Sequence, residues 1–176
     1  MTLTVEDGTG LATAESYVAV ADADTHHSNF GNTAWASLTT TQKEQYLRRA
    51  TQHMLQMYRP RWTGYRKTAT QSLDWPRSFV YLESFTHGAT GAYPFLVSDT
   101  IVPSEVKTAC ADLALKASTE TLLPDGTQQV AEETVGPITV KYDPYSPANK
   151  QYFAIDAILS PYLNSLGGIS VALTRG

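Results

Sequence analysis

The stretch LTTTQKEQYLRRATQHMLQMY, residues 38–58, constrains the fold more than any other part of the chain. Leu47, Ala50, Met54 and Tyr58 recur at the 3.6-residue period of a helix with one apolar face. Pro60 ends the pattern, because its ring clashes with the preceding turn and it has no amide hydrogen. Thr41 and Glu44 stand at capping-box spacing and mark the expected start. A helix this long with a single apolar stripe needs other helices to cover it, so the chain is expected to be mainly α.

Three further segments fit that expectation. Thr13 is the expected N-cap of a helix over AESYVAVADADTHHSNF, with Tyr17, Val20 and Ala21 on one face and Gly31 as the stop. In VPSEVKTACADLALKASTETLLPDG, Pro103 suits the first turn and Val106, Cys110, Leu113 and Ala117 form the stripe; Pro124 and Gly126 close it. The last, SPANKQYFAIDAILSPYLNSLGG, is expected to start at Ser146 and Pro147 and to align Tyr152, Ile155, Leu159 and Leu166. It kinks at Pro161 before Gly167. The fold class is therefore a small bundle of about four helices with a protruding β-hairpin and extended N- and C-terminal arms. TQQVAEETVGPITVKYD supplies the hairpin, with strands over residues 128–135 and 138–142 and Gly136 and Pro137 at the turn. Alone it would be marginal in water.

At 176 residues the chain suits one domain with a real core. Its expected parts are an N-terminal arm (1–12), a helical core (13–126) with a glycine-punctuated loop (83–102), the hairpin (128–142), a C-terminal helix (146–166) and a tail (167–176). No apolar run reaches the length of a membrane span, and MTLTVEDGTG lacks the apolar core of a secretory signal. Cys110 is the sole cysteine, so no internal disulfide forms and a reducing cytoplasm is expected.

Charge is segregated. Residues 43–77 carry eight basic side chains against Glu44 and Asp74, while the chain before Lys43 has no basic residue and 99–133 is mainly acidic. The densest part is YRPRWTGYRK, residues 58–67. Tyr58, Trp62 and Tyr65 could stack on bases while Arg59, Arg61, Arg66 and Lys67 met phosphates, as in sequence-blind single-strand binding. Equally, the same residues could meet an acidic surface of a neighbouring subunit while their rings bury apolar area. An overall pI near 5.5 favours the second.

No catalytic or cofactor motif is present, so neither enzymatic activity nor a cofactor is expected. The best metal candidate is DADTHH, where Asp22 and His26 are one turn apart with Asp24 and His27 close by. Such patterns more often belong to a solvated helix face, and no metal is expected. His53 and His87 read as structural, Cys110 as a small core residue, and Trp35 and Trp75 as pins holding loops to the core.

Taken together and in order, VEDGTGLATAESYVAVADAD, GNTAWASLTTTQKEQYLRRAT, RWTGYR, ATQSLDWPRS, VPSEVKTACADLALKA, TVGPITVKYD and ALTRG cover nearly the whole chain. In this set the chain resembles the tailed-bacteriophage head-to-tail connector, or adaptor, family, some of whose members are labelled DnaT-like single-stranded-DNA-binding proteins. HGATGAY, between Ser84 and Pro94, departs from that pattern by its length.

The resemblance implies a non-enzymatic ring, commonly of twelve copies, beneath the portal of a virion made in the host bacterial cytoplasm. The ring extends the DNA channel and seats the tail or stopper, and double-stranded DNA passes without specific binding. By the same resemblance Gly167, Gly168, Ile169, Ser170, Val171, Ala172, Leu173, Thr174, Arg175 and Gly176 dock into the portal protein. Val135, Gly136, Pro137 and Ile138 face neighbouring subunits or the tail side. Tyr58, Arg59, Arg61, Trp62, Tyr65 and Arg66 complete the expected subunit interface. The alternative function is single-stranded-DNA binding through that same knot.

Overall fold

The computed structural model describes residues 2–82, 95–123, 132–135, 138–141 and 151–164. The architecture is mainly helical, with a small two-stranded antiparallel hairpin. In chain order the elements are α1 (Val20–Asn29), α2 (Thr33–Ala36), α3 (Thr40–Tyr58), β1 (Tyr65–Arg66), β2 (Arg77–Ser78), α4 (Ser104–Ala117), β3 (Glu132–Val135), β4 (Ile138–Lys141) and α5 (Phe153–Leu159), which runs into a 3-10 turn at Ser160–Tyr162.

The central pair is α3 against α4. On α3 the expected stripe Leu47, Ala50, Met54 and Tyr58 is buried, joined by Thr51 and His53. Its capping box starts two residues earlier than expected. The Gln42 amide donates to Thr39 Oγ1 at 3.3 Å and the Thr39 amide to Gln42 Oε1 at 2.9 Å. Thr41 and Glu44 have the same spacing, but Glu44 instead ion-pairs with Arg48 one turn on, at 3.6 Å. Opposite, α4 buries the expected Val106, Cys110, Leu113 and Ala117 together with Ala109 and Ala114. Small side chains at 109, 110 and 114 let the two helices approach closely, and Thr51 Oγ1 lies 3.4 Å from Cys110 Sγ. The Cys110 thiol is buried and its pKa is raised by that burial, as expected of a core residue rather than a reactive one.

Helix α1 begins at Val20, well after Thr13, because the preceding residues are engaged elsewhere. Val5 bridges Ser16 in parallel and the Glu6 amide donates to the Ser16 carbonyl at 2.9 Å. Tyr17 is buried, and its hydroxyl oxygen accepts from the Asp74 amide at 3.0 Å. The expected N-terminal arm is thus, over residues 2–12, a folded loop. Its organiser is the buried Glu6 carboxylate, which accepts from the amides of Gly8, Gly10 and Leu11 at 2.8–2.9 Å. Three amide donors satisfy a charge that burial would otherwise penalise heavily. Gly8 sits at φ +100 against the Thr100 carbonyl, where no side chain fits.

Trp35 on the unexpected short helix α2 and Trp75 in the loop before β2 are both fully buried, as the sequence predicted. From α5, the expected Tyr152, Ile155 and Leu159 pack inward against α4. This helix starts at Phe153, and the 3-10 turn carries Pro161. In the hairpin, Val135 pairs with Ile138 and Glu132 with Lys141. Gly136, Pro137, Ser146, Pro147, Leu166, residues 83–94 and the tail 167–176 lie outside the described residues.

Candidate interface

The basic and aromatic knot divides in two. Tyr58 and Trp62 face the core, Trp62 with only 4% of its surface exposed. Trp62 stands edge-on to Trp75 at 5.7 Å between ring centroids, and Trp75 edge-on to Tyr162 at 5.4 Å. Two of the knot's three rings therefore cannot stack on bases or contact a neighbour, which corrects the expectation for Tyr58 and Trp62. The reason is local. Tyr58 ends α3 on its buried stripe, and Trp62 is held by an antiparallel bridge to Leu163.

Most of the knot's cations are also engaged within the chain. Arg59 Nε donates to the buried Asp74 carboxylate at 3.0 Å, and Arg61 donates to Asp156 at 3.2 Å while its guanidinium lies 5.5 Å over Tyr58. Lys67 Nζ reaches the Gly8 carbonyl at 3.1 Å. Arg77 is buried, which lowers its pKa, and it donates to the carbonyls of Thr63 and Gly64 at 2.7 Å. That grip ties the knot to β2.

Tyr65 and Arg66 point the other way. Tyr65 is 73% exposed, and Arg66 is exposed with no ion-pair partner among the described residues. β1 pairs with β2 in the register Tyr65–Ser78, and the chain continues into a second bridge between Tyr81 and Leu96. Val80 and Val97 turn inward and share a hydrogen bond of 2.9 Å. Phe79, Tyr81, Leu82, Phe95, Leu96 and Ile101 are all exposed. The backbone pairings bring four exposed rings, Tyr65, Phe79, Tyr81 and Phe95, into one region of the chain, with Arg66 next to Tyr65; strand alternation sets Tyr81 beside Leu96 on one side of the bridge and Phe95 beside Leu82 on the other.

Phe79 is the anomaly of this region. It adopts φ +60, the left-handed region that suits glycine, yet its ring is 64% exposed. Opposite it, Gly64 at φ +65 runs so close to β2 that a Cβ there would collide with the Ser78 carbonyl oxygen. Sequence reasoning missed Phe79, Tyr81 and Phe95. The available signal was SFVYL, residues 78–82, which is apolar at consecutive positions where a surface strand normally alternates.

A second cluster joins α1 to α4. His26 Nε2 lies 2.8 Å from Asp112 Oδ1, and the buried His27 places Nε2 3.1 Å from the Ala111 carbonyl and Nδ1 3.1 Å from Asn32 Nδ2. Burial, and then the neighbouring His26, lower the His27 pKa. Of the other residues in the sequence's metal candidate, Asp24 accepts from Trp35 Nε1 at 2.7 Å and pairs with Lys43 at 2.9 Å, while Asp22 is exposed. Asp112, far away in sequence, was not anticipated.

The structure is that of a small helical protein with a two-stranded hairpin, β3–β4, and a separate group of exposed rings around β1, β2 and the Tyr81–Leu96 bridge. None of its helices, among the described residues, is long and apolar enough to cross a membrane. The chain belongs to the family described as "Putative DnaT-like ssDNA binding protein", whose model matches residues 1–176. No curated protein and no solved structure matches it. The family match bears on the single-strand-binding side of the resemblance read from the sequence, and nothing in these comparisons speaks for the connector side.

Proposed function

We infer that the chain binds single-stranded DNA, and that it does so through the exposed rings around β1, β2 and the Tyr81–Leu96 bridge rather than through the knot as a whole. The observation that carries this is Phe79: an exposed phenylalanine held in a glycine-like backbone conformation. Strain of this kind costs about 1–3 kcal/mol and clusters at binding sites, where the surrounding structure holds it. Tyr65, Tyr81 and Phe95 supply further rings on which bases could stack, and Arg66 a free cation for a phosphate. The family's description supports the same reading.

A fluorescent oligonucleotide titrated at two salt concentrations tests it. The expected result is binding that weakens with salt and falls about ten-fold or more in Phe79→Gly and in Tyr65→Ala, since a base stacked on a ring contributes about 1–3 kcal/mol. Binding unchanged in both variants would remove these rings from the proposal.

The second reading is a head-to-tail adaptor that assembles as a ring on a phage portal and bears no enzymatic activity. Leu82, Leu96 and Ile101 favour it, because these exposed aliphatic side chains suit a protein partner better than a base. A net charge of -4 also favours it. On this reading Gly167–Gly176 docks into the portal, and deletion of residues 167–176 abolishes co-purification with portal rings while leaving the helical circular-dichroism spectrum intact. A truncated protein that still co-purified would refute the docking assignment.

A further inference from the structure

We propose that His26, His27 and Asp112 form a binding site for a divalent transition-metal cation of the zinc type, which clips α1 to α4. Each residue places a possible ligand atom within 4.8 Å of the others. Two imidazoles and a carboxylate are a donor set that suits zinc, and three protein ligands leave a fourth position open. Metal–ligand bonds of about 2.0–2.2 Å in a tetrahedron put the donor atoms roughly 3.3 Å apart, so the cluster must contract by no more than about 1.5 Å. The half-buried His26 and Asp112 side chains have room to make that adjustment.

The second shell decides whether His27 can join. As placed, Asn32 donates to its Nδ1, and Nε2–H donates to the Ala111 carbonyl. Turning the Asn32 amide over exchanges its nitrogen for its oxygen at Nδ1, a choice that hydrogen bonding alone decides. The ring proton then resides on Nδ1, held by Asn32 Oδ1, and Nε2 carries a lone pair that opposes the Ala111 carbonyl oxygen at 3.1 Å, so the ring must swing away from that oxygen to bring Nε2 to a metal. Asn32 thereby does for His27 what a second-shell carbonyl does in zinc sites generally. The cleft beside His26, of about 330 Å³, is lined by Asp22, Ser104 and Thr108 and has space for a water as fourth ligand. Lys107 lines the same cleft and opposes a cation, so its charge limits the affinity.

A plain hydrogen-bonded lock between the helices would need one histidine and Asp112. Here a second imidazole lies 5.0 Å from the first, centroid to centroid, and is buried with both nitrogens engaged.

The test uses the full chain with Co²⁺ as the probe. One Co²⁺ per chain with the visible bands of tetrahedral coordination, displaced by Zn²⁺, is the expected result. His26→Gln and Asp112→Asn should each lower Co²⁺ affinity ten-fold or more, and Lys107→Gln should raise it. An octahedral, water-like spectrum would overturn the proposal, as would equal uptake by the His26→Gln/Asp112→Asn double variant. Should these variants not fold, imidazole nitrogen shifts in the unsubstituted protein decide: Zn²⁺ must move His26 and His27 and leave His53 in place. A uniform response, or none, refutes the site.

Discussion

The inward rings Tyr58, Trp62, Trp75 and Tyr162 and the outward rings Tyr65, Phe79, Tyr81 and Phe95 have opposite fates, although Trp62 and Tyr65, and Trp75 and Phe79, are only three and four residues apart in the chain. The first set is buried and edge-packed at 5.4–5.9 Å; the second is exposed. Residue type does not distinguish them. What does is the local backbone of each: a helix end and the Leu163 bridge turn Tyr58 and Trp62 inward, while the Tyr65–Ser78 and Tyr81–Leu96 pairings and the left-handed φ of Phe79 leave those three rings facing out. A dense patch of aromatic and basic residues in a sequence is therefore not a surface until the pairing of its backbone is known.

The largest effect expected from this division is on the inward set. Trp75→Ala removes a fully buried indole that contacts both Trp62 and Tyr162, and should destabilise the protein by about 3–5 kcal/mol in urea unfolding. A loss below about 1 kcal/mol would mean the inward set is not core, and the division would collapse. Next is the charge that seals it. Arg59→Met leaves the buried Asp74 carboxylate without its ion-pair partner; because Arg59 itself is half exposed and the buried Arg77 guanidinium still lies beside Asp74, we expect about 2 kcal/mol rather than the cost of a deeply buried pair. Asp74→Asn in the same background should recover part of that loss.

These two residues also show where sequence reasoning stopped. Helix α3 was legible because periodicity is local: each apolar residue predicts the next three or four positions on. Its cap was misplaced by two residues because Thr39–Gln42 and Thr41–Glu44 have identical spacing, and only the Arg48 ion pair shows which acid is already engaged. Asp74 and Asp156 lie 15 and 95 residues from the arginines they neutralise, and Asp112 lies 86 from His26. No pattern within a window reveals such pairs. The knot read as cationic because its counter-charges are distant in sequence and near in space. Phe79 was missed for a different reason, since a left-handed φ at a non-glycine residue leaves no trace in composition.

Titration should separate the regions further. His53 borders the inward set, edge-on to Tyr152 at 5.4 Å, with Asp156 and Arg61 in the same cleft. Burial lowers its pKa, as it does for His27. A histidine whose folded pKa is depressed stabilises the fold while the unfolded chain is also neutral, above the ordinary value of about 6.5. Below that the unfolded state takes up protons that the folded state does not, so stability falls with pH. We expect a loss of about 1–2 kcal/mol between pH 7.5 and 5.5 by urea unfolding, with a shallower slope in His53→Gln. A flat profile over this window would show that neither ring is kept neutral by its surroundings.

The smallest effect is the most discriminating, because its sign is opposite to the rest. Phe79→Gly removes a ring that buries little and relieves a left-handed φ that glycine adopts freely. Stability should therefore stay the same or rise by up to about 1 kcal/mol, less than the full strain because glycine also loosens the unfolded chain. A fall of more than about 1 kcal/mol would mean that the ring packs as the inward rings do, and Phe79 would belong to the core after all. If stability holds while oligonucleotide or portal binding drops, the ring serves a partner and not the fold.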